Sequence, residues 1–391
     1  MLERMTNPKT NQLTSARGVA ALAVDATVAV ANMAQDLHQR IARPFPISGL
    51  TLANGVYASV RGIAKGAGAA LDALLRTFES GSAEPQRAPL PAALVSILNG
   101  VCGDHLHAAG NPLALRMQLL DQGGNPITDA VLMSQKFALF VHGLCLSPND
   151  WGSALIACVV QRGYTPVFVH YNSGRRVVDS GAALADLLHA LMPKSSAGAA
   201  CHGVVIAHSM GGLVLRAALA SADAAKMPWR GHLDAAFFLG TPHLGAPLER
   251  AGAWVAGLWQ AAPFAAALAP IAALRSAGIV DLRYGQIGAA DPRSAPPVLM
   301  PRGLMCFALA GTLSLSSEQP NAAAALPRTL LGDGLVPVAS ALAFAAGVRA
   351  VFPAQRSAVL ARTGHLDLLH APQVVAKIDE WLNEPALDRR A

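Results

Sequence analysis

Residues 203–212, Gly-Val-Val-Ile-Ala-His-Ser-Met-Gly-Gly, constrain this chain more than any other stretch. Four apolar residues lead up to His208 and Ser209, and an alanine-rich, helix-prone segment follows at 213–220. A strand that turns sharply into a helix needs small neighbours, because the turn leaves no room for branched side chains. The residue at the apex projects its hydroxyl away from the sheet. The helix behind it presents free backbone N–H groups to whatever forms there. The segment therefore predicts a serine nucleophile, Ser209, on a strand–turn–helix unit.

The surrounding pattern agrees with such a unit. From about residue 135 short, almost wholly apolar runs alternate with amphipathic ones. Strands are predicted at 137–141, 165–170, 203–207, 233–239, 304–310 and 348–352, and helices at 151–162, 177–191, after Ser209, and at 372–382. Short apolar strands between amphipathic helices imply a parallel sheet covered on both faces. Residues 113–120, with the turn residues of 121–126, predict a first edge hairpin.

Upstream, 12–40 and 50–79 carry apolar residues at three- and four-residue spacing and predict helices, 81–91 reads as a linker, and 91–107 as a further helix. Residues 1–130 thus form a helical N-terminal extension, and 131–391 an α/β domain. The interval 245–302 is too long for a simple connection. It holds Trp254, Trp259 and Phe264 with few charges. It predicts a helical cap over the site, with an ordinary insertion packed on the core as the plain alternative.

The 391 residues suffice for one large core plus an accessory region. Hydrophobic residues make up 53 % and charged ones 14 %, and alanine supplies much of the apolar share. The net charge of +6 is scattered, apart from Arg175-Arg176 and Arg389-Arg390. This predicts mild attraction to anionic surfaces and no nucleic-acid partner. The five cysteines are an odd number without a C-x-x-C pair, which predicts a thiol that is free or pairs between chains, and a reduced, cytoplasmic setting as the simpler account. Residues 1–34 do not read as a signal peptide. The apolar stretch 19–34 is broken by Asp25 and Asn32, so it reads as an amphipathic helix that packs on the protein or makes peripheral contact with a membrane.

Acyl transfer by serine needs a base, an acid to orient it, donors for the oxyanion and an acyl pocket. In an open parallel sheet these belong at the C-terminal strand ends. Val141-His142-Gly143-Leu144 ends the first such strand, and its glycine lets the Leu144 N–H face the nucleophile. With the Met210 N–H it would form a two-donor oxyanion hole, the alternative being a plain strand-ending turn. Asp333, between Gly332 and Gly334, can leave its carboxylate free to accept from an imidazole. His365, in Thr363-Gly364-His365-Leu366, lies on a loop before the last helix and reads as the base. His243 is the rival, though it precedes the acid in the chain. His208 is read as pointing away from the serine in a supporting role, and His142 as structural. Tyr171, just past a strand end, could border the acyl pocket together with Trp254 and Trp259. A solvated loop around Tyr171 is the alternative.

The order Ser209, Asp333, His365 resembles that of the α/β-hydrolases, and more narrowly the bacterial lipase-like esterases. The resemblance is carried by His142-Gly143-Leu144, Ala207-His208-Ser209-Met210-Gly211, Asp333-Gly334-Leu335-Val336 and Gly364-His365. Residues 240–245, Gly-Thr-Pro-His-Leu-Gly, are similar to a loop of the same lipases and of related deacylases acting on lipid anchors. The resemblance spans about 135–385. It implies an α/β-hydrolase fold with Ser209 as nucleophile, His365 as base, Asp333 as orienting acid, and Leu144 and Met210 as oxyanion donors. Ala207 stands where the elbow usually has glycine, a methyl that some small bacterial lipases share. No metal is expected, since no dense carboxylate cluster suits calcium and His202 and Cys201 lack partners at zinc spacing. No cofactor is expected either. The reading is an esterase for a small-molecule or lipid ester. The same three residues would also serve polyester oligomers, thioesters or lipid-anchor esters, and a non-catalytic lipid-binding scaffold stands as the contrasting class.

Overall fold

The computed structural model describes Gly18 and residues 92–128, 136–192, 202–247, 276–288, 300–301, 303–315, 332–344 and 351–384. The predicted linker, Trp254 and Trp259, and the predicted helices at 12–40 and 50–79, apart from the helical Gly18, lie outside these residues.

The described strands are β1 (Gln118–Leu120), β2 (Phe137–Val141), β3 (Thr165–His170), β4 (Gly203–His208), β5 (Leu233–Leu239), β6 (Met305–Thr312) and β7 (Ser357–Ala361). They form one sheet in the order β1-β3-β2-β4-β5-β6-β7. β1 is antiparallel to its neighbour and every other pair is parallel. The fold class is thus as the sequence implied, a mostly parallel sheet with helices on both faces.

Every residue of β2, β4 and β5 is buried, because helices cover both faces. Successive side chains alternate between two cores. Leu139, Val205 and Phe238 pack on the side of α1 (Ala92–Ala108), α3 (Val177–Leu191) and α4 (Met210–Ala224). Phe140, Ile206 and Phe237 pack on the side of α2 (Ser153–Gln161) and α7 (Pro372–Leu382). Two short helices, α5 (Ala277–Tyr284) and α6 (Val338–Ala341), sit on connections.

Two strand expectations need correction. Of the predicted last strand at 348–352, residues 348–350 lie outside the described residues and Val351 and Phe352 form a bend; the described strand is Ser357–Ala361, in register with 308–312 of β6. Pro353 separates the two apolar runs, lacks an N–H for a ladder, and caps a 3-10 turn over Ala354–Arg356. Phe352 packs instead against Phe238 and His243. The predicted strand at 113–120 shrinks to its last three residues. The Asn99 side chain of α1 donates to the Leu113 carbonyl at 2.8 Å and accepts from the Leu115 N–H at 2.9 Å, drawing that segment onto the helix.

α1 shares the core of the α/β domain, and β1 shares its sheet. The one described helix within the predicted cap interval, α5, is tied down at several points. Ser276 Oγ donates to the Gly100 carbonyl at 2.7 Å, the Ala277 N–H to Asp104 at 2.8 Å, and buried Asp281 takes Arg176 and the Val177 N–H at 2.9 and 2.8 Å. The last contact sets a carboxylate at the N-terminus of α3, where the helix dipole favours it. Cys102, Cys145, Cys158 and Cys306 are free thiols. Burial pushes Cys102 and Cys306 up to about 12, which keeps them protonated and unreactive. No described helix is long and apolar enough to cross a membrane.

Candidate active site

Ser209 stands between β4 and α4 with φ 54° and ψ −127°, a left-handed conformation rare for a residue with a side chain. Such a conformation costs on the order of 1–3 kcal/mol and persists only where its surroundings impose it. Here the Ser209 N–H donates to the Leu239 carbonyl of β5 at 2.9 Å, and its carbonyl accepts from Gly212 at 3.0 Å. The following helix is wedged against β2. A Cβ on Gly211 would lie 2.3 Å from the Val141 carbonyl oxygen and 2.5 Å from that of His142, so glycine is required there. Ala207 lies inside β4 in regular register with Val141 and Phe238, where a methyl is accommodated.

Asp333 follows β6 and is 3 % exposed. Its Oδ1 accepts from the Leu335 and Val336 N–H groups at 3.0 and 2.7 Å. Its Oδ2 lies 2.7 Å from His365 Nδ1, and its carbonyl accepts from the His365 N–H at 2.9 Å. A carboxylate can only accept here, so Nδ1 carries the proton and Nε2 holds the ring's lone pair. The loop bearing His365 is held by Thr363, whose N–H donates to Thr312 at 2.9 Å, and by Gly364, whose N–H donates to Asp367 at 2.8 Å.

Gly240 joins these parts. Its neighbour Leu239 binds Ser209, while its own Cβ, were there one, would sit 3.1 Å from Asp333 Oδ2 and 3.4 Å from His365 Cε1. Ser209, Asp333 and His365 thus gather at the C-terminal ends of β4, β6 and β7 around the end of β5. His208 adds a direct contact, its Nε2 lying 3.0 Å from the His365 carbonyl oxygen.

Leu144 lies in the tight turn 143–146, closed by the Leu146 N–H on the Gly143 carbonyl at 3.3 Å with Cys145 at φ 62°. The turn presses on the elbow, since a Cβ on Gly143 would be 2.9 Å from Ser209 Cβ. Neither the Leu144 nor the Met210 N–H has an acceptor among the described residues.

Tyr171 is 1 % exposed, its hydroxyl donates to the His142 carbonyl at 2.8 Å and its ring stacks on His142 at 4.5 Å, so it props the end of β2 rather than forming a pocket wall. Trp254 and Trp259 lie outside the described residues. The rival base His243 is buried, with Nδ1 3.4 Å from Arg216 Nη1, and burial followed by the Arg216 charge holds it well below the usual imidazole range. His142 is likewise pushed down to about 3 by burial, in keeping with its structural reading.

The sequence reading missed the support that α1 gives this site. A Cβ on Gly100 would strike Cys145, and one on Gly103 would strike Asn172, the residues after Leu144 and Tyr171. The signal was the Gly100-x-x-Gly103 spacing, which clears one face of a helix for close approach.

Strand order, the antiparallel first edge strand and the serine elbow define the fold. The chain has the architecture of the α/β-hydrolases. Residues 133–278 match the sequence family described as "Putative serine esterase (DUF676)", which supports a serine hydrolase. A comparison with curated proteins gives no match. Among solved structures the chain is similar to the mature form of the lipase BlEst2 of Bacillus licheniformis. The identity is 18 %, the TM-score 0.42, and the coverage 68 % of this chain and 97 % of that one. It is also similar to a bromoperoxidase from Bacillus anthracis, at 15 % identity and TM-score 0.38, with 68 % and 98 % covered.

Proposed function

We propose that this hydrolase cleaves carboxylic esters with a lipid-like or otherwise apolar acyl group, through an acyl-enzyme on Ser209. The observation that carries the reading is the Asp333–His365 pair, 2.7 Å apart and buried, gathered with a serine at a strained strand–helix elbow. His365 Nε2 takes the Ser209 hydroxyl proton as Oγ attacks the ester carbonyl carbon. The Leu144 and Met210 N–H groups receive the oxyanion, each worth on the order of 10²–10³ in rate. The imidazolium then protonates the departing alkoxide as the C–O bond breaks, and water repeats the sequence to release the acid. Asp333 fixes the imidazole's tautomer and stabilises its charged form.

The apolar acyl preference rests on the alanine- and tryptophan-rich composition of 245–302 and remains part of the proposal. The test is hydrolysis of a p-nitrophenyl ester series of increasing chain length, with fluorophosphonate labelling. Turnover is expected, rising with acyl length, and Ser209→Ala should lower kcat by about 10⁴–10⁶ while the fold is retained. Unchanged kcat in that variant refutes the nucleophile. A preference for acetate over longer acyl groups refutes the substrate class alone.

A further inference from the structure

Resting on that reading, we infer that His208 is a positioning residue: it ties the loop carrying the base to the strand carrying the nucleophile. His208 is the last residue of β4, fully buried and covalently next to Ser209. Its Nε2 lies 3.0 Å from the His365 carbonyl oxygen, and a carbonyl only accepts, so Nε2 carries the proton. The two rings approach to 4.7 Å between centroids, and Trp151 meets the His208 ring edge-on at 6.4 Å. The opposite ring nitrogen faces the oxyanion turn, since a Cβ on Gly143 would lie 3.1 Å from Nδ1. A single imidazole therefore touches the oxyanion turn, is bonded to the nucleophile, and holds the backbone of the base.

This contact joins two elements that do not pair in the sheet. His365 is held twice by Asp333, through Nδ1 and through its N–H, and both contacts belong to the loop after β6. β4 and β7 are not neighbours in the sheet, as β5 and β6 lie between them. Acid and base could shift together relative to the serine without breaking their own pairing. The His208 bond spans that gap directly and fixes where the base stands over Ser209. Burial, and next the adjacent His365 imidazole, hold His208 well below the ordinary imidazole range. It stays neutral in the folded protein and serves as a fixed donor rather than a second base.

The test compares His208→Gln, His208→Asn and His208→Leu in the full chain, by steady-state hydrolysis of a p-nitrophenyl ester and by the rate of fluorophosphonate labelling. Glutamine can place an N–H where Nε2 stands; asparagine is one atom too short and leucine has no donor. The expected result is a fall in kcat of about 10–100-fold for Leu and Asn at nearly unchanged KM, with labelling slowed alike, and recovery of most of the loss in Gln. Equal kcat in the Gln and Asn variants overturns the inference, and this comparison holds even where Leu does not fold. If Ser209→Ala is inactive while all His208 variants match the parent, the inference alone fails. If the parent neither turns over ester nor takes the label, the function proposed above fails and takes this inference with it.

Discussion

Asp333 and His365 are joined twice, by the side-chain contact of 2.7 Å and by the His365 N–H on the Asp333 carbonyl at 2.9 Å. The backbone bond sets the imidazole's base and the side-chain bond sets its rotation, so the ring has one orientation and one tautomer. The Asp333 carboxylate is itself fixed by two backbone donors on its other oxygen. A carboxylate anchored in this way meets the His365 ring from one fixed direction.

Asp333→Asn separates those roles. The amide oxygen can keep the Leu335 and Val336 bonds, while the NH₂ then faces His365 Nδ1 and favours the wrong tautomer. We expect kcat to fall by about 10⁴ with the fold intact, as measured by ester turnover and circular dichroism. A loss under tenfold would mean that the carboxylate does not orient the base.

The elbow is held by packing as much as by hydrogen bonds. Gly211→Ala drives a methyl into two backbone carbonyls that cannot swing aside, and we expect a loss of about 1–3 kcal/mol in urea unfolding together with reduced turnover. Gly231→Ala is the control, because a Cβ there meets nothing within 4 Å. Equal stability of the two variants would show that the helix start is not wedged against β2.

How much of this was legible beforehand depended on what kind of force placed each residue. β2, β3, β5, α3 and α7 fall where apolar periodicity put them, since burial on both faces leaves little choice for such runs. Ser209, Asp333 and His365 could be singled out because each follows a strand, and His243 differs from His365 in preceding Asp333 along the chain. What the sequence did not reveal depends on long-range contacts. Asn99 draws 113–115 off the sheet, Pro353 shifts the last strand to the next apolar run, and the Tyr171 hydroxyl finds a carbonyl 29 positions away. A pattern read along the chain carries no record of such partners.

His243 offers a further check. Its Nδ1 faces Arg216, and its ring packs on Phe238 and Phe352 at 5.0 and 5.4 Å, so it braces the loop after β5. His243→Gln should keep kcat close to the parent value while unfolding free energy drops by about 1–3 kcal/mol, the usual effect of disturbing a buried polar contact. His365→Gln should do the reverse, abolishing turnover with little effect on unfolding. Exchanged outcomes would make His243 the base.

Acid should destabilise this fold through its buried histidines. His142 is pushed down to about 3 by burial, and His208 and His243 are held well below their ordinary range by burial together with His365 and Arg216 respectively. All three are neutral when folded, whereas in the unfolded chain they take up protons near pH 6.5. The unfolded state then binds more protons, so stability rises with pH across this window and is lost as pH falls through it. Between pH 7.5 and 5.5 each contributes about 1.4 kcal/mol, or about 4 kcal/mol for the three. His170, lowered by burial as well, adds in the same direction. Ordinary carboxylates stay mostly ionised over this interval, so the loss belongs to the imidazoles. Urea unfolding at the two pH values measures it, and equal stability at both would mean that these rings accept protons without leaving the core.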